Sequence, residues 1–326
     1  MRTRTLGDGL EVSAVGFGAM VLSPGMYGEV DAERGLAALD HAIRAGATFV
    51  DTADGYGGGD NEELVGRAIA GRRDDVVVAT KFGLNLPEGV EGHPFPVGYG
   101  FGELAVNAEP GNVRRYLEAS LRRLGTDRVD LYYPHFPDPR VPIEDTVAAV
   151  AELVEEGLVG HVGLSNVTAD QLARAALVHP IAAVQVEWSL WNRAAERALL
   201  PLARRLGAGL VAWGPLGNGF LAGDVALADD DFRRHAPRFQ GENLARNRDR
   251  FAPLRRIAEE AGLTPAQLAL TWLLARDARA VPIPGSRTPA HIDENLAAAE
   301  MRLDEGTLAR VDEASASVEA AGGTLL

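Results

Sequence analysis

Residues Phe49–Asp60 read FVDTADGYGGGD. The stretch begins as an apolar run, the pattern of a buried strand, and places Asp51 where that run ends. From Asp54 onward it holds Tyr56 among Gly55, Gly57, Gly58 and Gly59. A strand that opens into an acid, a tyrosine and a glycine-rich loop reads as the C-terminal end of a parallel strand in an α/β protein, where functional side chains collect. Glycine lets such a loop turn back over the strand ends without steric cost.

Seven further short runs share the apolar character of a strand buried on both faces. They are Ala14–Met20, Val76–Lys81, Val129–Tyr133, His161–Ser165, Ala182–Glu187, Gly209–Trp213 and Ala280–Pro284, with Thr48–Asp51 as the second in order. Helical patterns fall between them. Ala32–Ala45 follows a capping Asp31, Pro110–Leu124 spaces its leucines at helical intervals, Pro142–Glu156 stops at Gly157, and Thr264–Pro265 opens another helix. An N-terminal hairpin is expected around Gly7–Asp8–Gly9. Eight strands alternating with helices predict a single-domain (β/α)8 barrel over residues 1–326. The alternative, a doubly wound open sheet, lacks support because GFGAMVLS after the first strand carries no G-x-G-x-x-G fingerprint. Two connections are long, Gly83 to about Ala108 and Gly217 to about Arg246, and both are expected to be structureless and functional.

Composition narrows the function. With 32 Lys and Arg against 46 Asp and Glu the net charge is −14, which argues against nucleic acid or an anionic membrane as partner. The chain has no cysteine, so thiol catalysis, disulfides and cysteine-held metals are excluded. No segment approaches the roughly 18 apolar residues of a membrane helix, and MRTRTLGDGLEV has no signal-peptide core. The expectation is a soluble, cytoplasmic protein.

In a (β/α)8 barrel the strand ends converge on one mouth. Here they bring Asp51, Tyr56, Lys81, His135, Ser165, Asn166, Gln185 and Trp213 together, with Pro284-Gly285-Ser286-Arg287 after the last strand. Each has a plainer role as a cap, rim or packing residue. Their coincidence at successive strand ends argues for a site. Tyr is a poor acid near neutrality, and an adjacent ammonium is expected to lower its pKa. A buried Lys needs a partner, which Asp51 supplies. His135 can hold a carbonyl oxygen beside the phenol. Such a site would protonate a forming alkoxide; no amino acid donates hydride, so a cofactor is implied. Asn166 and Gln185 can clamp an amide, Trp213 can stack on a flat ring, and IPGSR can cradle a phosphate.

These residues sit in motifs that resemble the aldo-keto reductases. DTADGYGGGDNEELVGRAI, ATKFG, SLRRLGTDRVDLYYPHFPDP, GLSN, VQVEWSLW, GPLGNGFLAG and IPGSRTPAHIDENLAAA follow in that family's order over nearly the whole chain. The resemblance implies a (β/α)8 barrel and reduction of a small aldehyde or ketone by NADPH, with NADH as the alternative cofactor. It carries the catalytic tetrad onto Asp51, Tyr56, Lys81 and His135. It carries cofactor contacts onto Ser165, Asn166, Gln185, Trp213, Gly214, Pro215, Leu216, Gly217, Asn218, Gly285, Ser286, Arg287, His291, Glu294 and Asn295. Phe136 stands where many relatives have Arg, and Trp213 where Tyr is usual. Gly214 and Asn218 lack the hydroxyl and the cation of the related SPLGRG. Only Arg287 remains as an obvious partner for a 2′-phosphate. Phe95, Tyr99 and Phe101 in the first long loop are expected to line the substrate pocket with Phe136. A redox-sensing nicotinamide-binding subunit is the alternative on the same fold. A metal-dependent barrel hydrolase is disfavoured because no strand end carries a His-x-His pair, so no metal is expected.

Overall fold

The structure is a computed structural model that describes residues 1–100, 102–223, 225, 227–316 and 319–325. Its strands are β1 (Thr3–Leu6), β2 (Leu10–Ser13), β3 (Phe17–Gly18), β4 (Phe49–Asp51), β5 (Val77–Phe82), β6 (His93–Pro96), β7 (Glu103–Val106), β8 (Val129–Pro134), β9 (Val159–Ser165), β10 (Ala183–Glu187), β11 (Gly209–Trp213) and β12 (Ala280–Pro282). Eight of them form one parallel sheet in the order β12-β11-β10-β9-β8-β5-β4-β3. The two edges meet. Gly16 N–H donates to Pro282 O at 2.9 Å and Gly18 N–H to Pro284 O at 3.4 Å. A side chain at Gly18 would strike the Ile283 carbonyl, and one at Gly285 the Gly18 carbonyl, so the seam closes only because both are glycine. The chain is a (β/α)8 barrel.

All eight barrel strands fall where the apolar runs predict them. The first and last are shorter than expected because they form the seam, and a single 3₁₀ turn, Ala19–Leu22, takes over after Gly18. The helices match closely. Ala32–Arg44 is capped by Asp31, whose carboxylate accepts from the N–H groups of Glu33 and Arg34. Pro265–Arg276 opens with a reciprocal Thr264–Gln267 capping box. β1 and β2 pair around the predicted Gly7–Gly9 turn. Their Leu6, Leu10 and Val12 pack against Phe49, Ala79, Leu131 and Val211, closing the end of the barrel away from the strand C-termini.

The two long connections are not structureless. Within the first, β6 and β7 form an antiparallel hairpin from His93↔Val106 to Pro96↔Glu103. Pro94 and Pro96 argue against a strand, but their spacing of two places both missing N–H groups on the edge that faces away from β7, where no further strand pairs among the described residues. In the second, short 3₁₀ turns occupy Phe220–Ala222, Phe232–His235 and Pro237–Phe239, and a helix begins already at Gly241. Among the described residues no helix is long and apolar enough to cross a membrane.

Candidate active site

Three consecutive left-handed residues, Gly57 (φ 61°), Gly58 (φ 65°) and Gly59 (φ 111°), follow Tyr56. A side chain would be strained at each. The turn lets the loop after β4 fold back, so that the Tyr56 hydroxyl lies 3.3 Å from Lys81 Nζ. Lys81, fully buried in β5, also donates to Asp51 Oδ1 at 2.6 Å and to the Thr52 carbonyl at 2.9 Å. The second Asp51 oxygen accepts from Gln185 Nε2 at 2.7 Å. His135, directly after β8, meets the Tyr56 ring edge-on with 5.6 Å between centroids. The predicted tetrad is therefore one contiguous cluster at the C-terminal mouth.

Burial sets the protonation states. His135 is held well below the usual imidazole range by desolvation and then by the Lys81 charge, so its ring is neutral. Burial pulls Lys81 down, but Asp51 and Tyr56 together outweigh it and hold the ammonium above its ordinary value. Burial pushes the Asp51 carboxyl up against the opposing pull of Lys81 and two hydrogen bonds. Tyr56 departs from expectation: desolvation raises its phenol, and Lys81 only partly offsets it. The phenol therefore stays protonated through the neutral range.

Beside this cluster, Asn166 adopts a left-handed backbone (φ 59°) that is rare outside glycine. Its Nδ2 donates to the His135 carbonyl at 3.0 Å, and its Oδ1 accepts from Trp213 Nε1 at 3.0 Å. Asn166 thus fixes both the loop that carries His135 and the plane of Trp213. The Ser165 hydroxyl is buried with no partner among the described residues, as is His135 Nδ1. A buried hydroxyl without a partner is costly unless a ligand supplies one. Gln185 is less free than expected, since Asp51 already holds its amide N–H.

Further out the predicted residues divide. Gly214, Gly217, Asn218 and Gly219 all have positive φ, giving an irregular turn with Pro215 and Leu216 buried beneath it. The Asn218 amide accepts from the Tyr27 hydroxyl (3.3 Å) and donates to that of Tyr99 (3.4 Å). Arg233, which sequence reading missed, donates to Asn218 O at 2.8 Å and pairs with buried Asp231. A guanidinium thus stands beside the position where Asn218 replaces a cation. Arg287 is not free: it donates to the carbonyls of Val21 (2.6 Å), Glu29 (3.0 Å) and Gly28 (3.1 Å). Three of its five N–H groups are used, leaving two among the described residues. Ser286 is turned toward the backbone of Thr288. In the helix Pro289–Ala297, His291 is exposed, Glu294 half-buried and Asn295 buried.

Of the expected pocket residues, Phe136 stacks on His135 with rings 5.0 Å apart and 6° from parallel, and Phe95 packs on Phe136 at 5.0 Å. Tyr99 instead lies against Phe232, with its hydroxyl at Asn218. Phe101 lies outside the described residues. Asp54 also escaped the sequence reading. It is completely buried, and its Oδ2 accepts from the N–H groups of Gly83, Leu84 and Asn85 at 2.9–3.3 Å. Desolvation and then the nearby Glu62 push its carboxyl up to about 7.

Comparison with known proteins gives concordant results. Residues 14–316 match the model of the aldo/keto reductase family. A probable aldo-keto reductase of Glycine max is 39% identical over 321 residues, covering 97% of this chain and 89% of its own. The structure of a glycerol dehydrogenase from Gluconobacter oxydans superposes with a TM-score of 0.82 at 27% identity, over 97% of this chain and 95% of that one. An aldo-keto reductase of Klebsiella pneumoniae in complex with NADPH gives 0.73 at 28% identity, over 96% and 95%.

Proposed function

Because the chain belongs to the aldo/keto reductase family, we propose that it reduces an aldehyde or ketone to an alcohol, with Tyr56 as proton donor and NADPH as the favoured cofactor. The observation that carries this reading is the placement of Lys81 Nζ, 2.6 Å from Asp51 and 3.3 Å from the Tyr56 hydroxyl, beside a neutral imidazole. Nicotinamide, when bound, supplies the hydride that the carbonyl carbon receives. The residues present fit that group. The unpartnered Ser165 hydroxyl can meet a polar substituent, Trp213 offers a flat face held by Asn166, and Arg287 keeps two N–H groups for a phosphate. NADH is the alternative cofactor.

The chain's own groups handle the proton. Neutral His135 donates a hydrogen bond to the substrate oxygen and holds it against the phenol. Tyr56 remains protonated until negative charge develops on that oxygen, then passes its proton across. The phenolate left behind is stabilised by Lys81, whose charge Asp51 and Gln185 hold in place. The Phe95 and Phe136 rings present an apolar wall beside His135, which suits flat, uncharged carbonyl compounds.

The test is Tyr56→Phe, which removes the hydroxyl and keeps the ring. Turnover of an aldehyde panel should fall by about 10²–10⁴, the usual contribution of a positioned acid. NADPH binding, followed by tryptophan fluorescence, should persist. Wild-type turnover in the variant would refute the assignment, and an unmutated protein that binds NADPH tightly but reduces nothing would favour a sensing role.

A further inference from the structure

The hairpin of β6 and β7 is held to the barrel by a buried polar knot that the proposed chemistry does not use. Asp138 lies three residues beyond His135, and its side chain is completely enclosed. Its two oxygens lie 2.8 Å each from His93 Nδ1, at the first position of β6. A carboxylate accepts only, so Nδ1 carries the proton. Asp138 Oδ2 also accepts from Ala108 N–H at 2.9 Å, just past the end of β7, and Oδ1 from Arg140 N–H at 2.9 Å. One carboxylate therefore grips both feet of the hairpin. Thr146 secures the same place, donating to Ala108 O at 2.8 Å.

What the hairpin delivers is Phe95, two residues after His93 and on the same face of β6. Its ring rests on Phe136, which stacks on His135. The chain of contact runs from the knot through Phe95 and Phe136 to the imidazole. We propose that His93 and Asp138 form a positioning latch that seats Phe95 on Phe136 and so makes the site selective for aromatic over small aliphatic aldehydes. The inference rests on the carbonyl-reductase reading above. Neither residue touches the reacting atoms. Their effect is to fix a wall that a flat substrate needs and a small one does not.

Two readouts on the full-length protein test this. His93→Leu removes the donor, whereas His93→Asn restores one near the Nδ1 position. With NADPH saturating, the ratio of kcat/KM for benzaldehyde to that for propanal should fall by about tenfold in His93→Leu, on the scale of one charge-assisted hydrogen bond, mainly through KM. It should recover in His93→Asn. Hydrogen exchange supplies a readout independent of turnover: the segment 91–107 should lose protection in His93→Leu and in Asp138→Ala, while the strands β8–β11 keep theirs. Unchanged protection of the hairpin overturns the latch. Lost protection with an unmoved ratio overturns its role in selectivity. Failure of the wild type to reduce either aldehyde would sink the reductase reading and the substrate preference with it, whereas normal turnover with an unmoved ratio overturns this inference alone.

Discussion

Replacing Lys81 by Met isolates the energetics of the buried pair. Lys81 and Asp51 are enclosed at 2.6 Å, and at an effective dielectric of about 20 their attraction is about 6 kcal/mol. The variant cannot lose all of this, because Asp51 escapes by taking up a proton. Neutralising a carboxyl of ordinary pKa about 3.9 costs about 4 kcal/mol at pH 7 and about 1.5 kcal/mol at pH 5. The first figure falls within the roughly 3–5 kcal/mol expected when one partner of a buried pair is removed. The sign follows from linkage. A carboxyl whose folded-state pKa lies above its unfolded value contributes stability that is present at low pH and lost as pH rises. Lys81→Met should therefore be destabilised by about 4 kcal/mol at pH 7 and by less than half that at pH 5. The double variant Asp51→Asn/Lys81→Met should recover most of the loss and show no such pH dependence, since the introduced amide still offers Gln185 an acceptor. Urea denaturation followed by tryptophan fluorescence at pH 5, 6 and 7 compares the wild type, both single variants Lys81→Met and Asp51→Asn, and the double variant. A pH-independent loss, or additive losses in the double variant, would refute the argument.

Two more outcomes follow from neighbouring residues. Arg287→Ala should weaken NADPH binding by about 10- to 150-fold through loss of a charge-assisted contact and leave NADH nearly untouched; equal losses measured by fluorescence titration would mean that Arg287 acts by bracing the Val21–Glu29 loop through its three carbonyl contacts. Asp54, raised to about 7 when folded, ionises more easily in the unfolded chain, so its contribution to stability is complete at low pH and fades as pH rises toward 7. Between pH 5 and 8 the wild type should lose about 2–3 kcal/mol from this group, a slope that Asp54→Asn abolishes; equal slopes in urea titrations of the two proteins would contradict it.

The barrel strands and the tetrad were legible in the sequence for one physical reason. A strand buried on both faces must be apolar, so a polar side chain at its end stands out, as Asp51, Lys81 and Ser165 do. What escaped notice depends on three-dimensional partners. The β6–β7 hairpin is masked in the sequence by Pro94 and Pro96, whose usual meaning is set aside because they face the edge away from β7, where no strand pairs among the described residues. His93 and Asp138 meet across 45 residues with no periodicity to signal it. Asp54 looks like another polar loop residue until its burial and its three backbone donors are seen. The direction of the Tyr56 shift is not legible in the sequence, because the motif supplies the neighbouring ammonium but not the degree of burial, and burial is the larger effect. Arg287 was recognised as a cation, but its anchoring carbonyls belong to a loop more than 250 residues away in the chain.

The hydrogen bond between Gln185 and Asp51 joins fold to chemistry more directly than any motif. Gln185 belongs to β10 and Asp51 to β4, which lie four places apart in the eight-stranded order whichever way the closed sheet is followed. They are opposite each other across the mouth, yet their side chains meet at 2.7 Å. Such a contact requires the sheet to be closed and narrow. The same strut then fixes the carboxylate that holds Lys81, which in turn stands 3.3 Å from Tyr56. An open sheet with identical strand-end residues would leave Gln185 far from Asp51 and free that carboxylate to rotate. The position of the Tyr56 hydroxyl, the proposed proton donor, is thus set by barrel closure, and the seam glycines Gly18 and Gly285, remote in sequence from Asp51, Tyr56, Lys81 and His135, belong to the same geometry as that cluster.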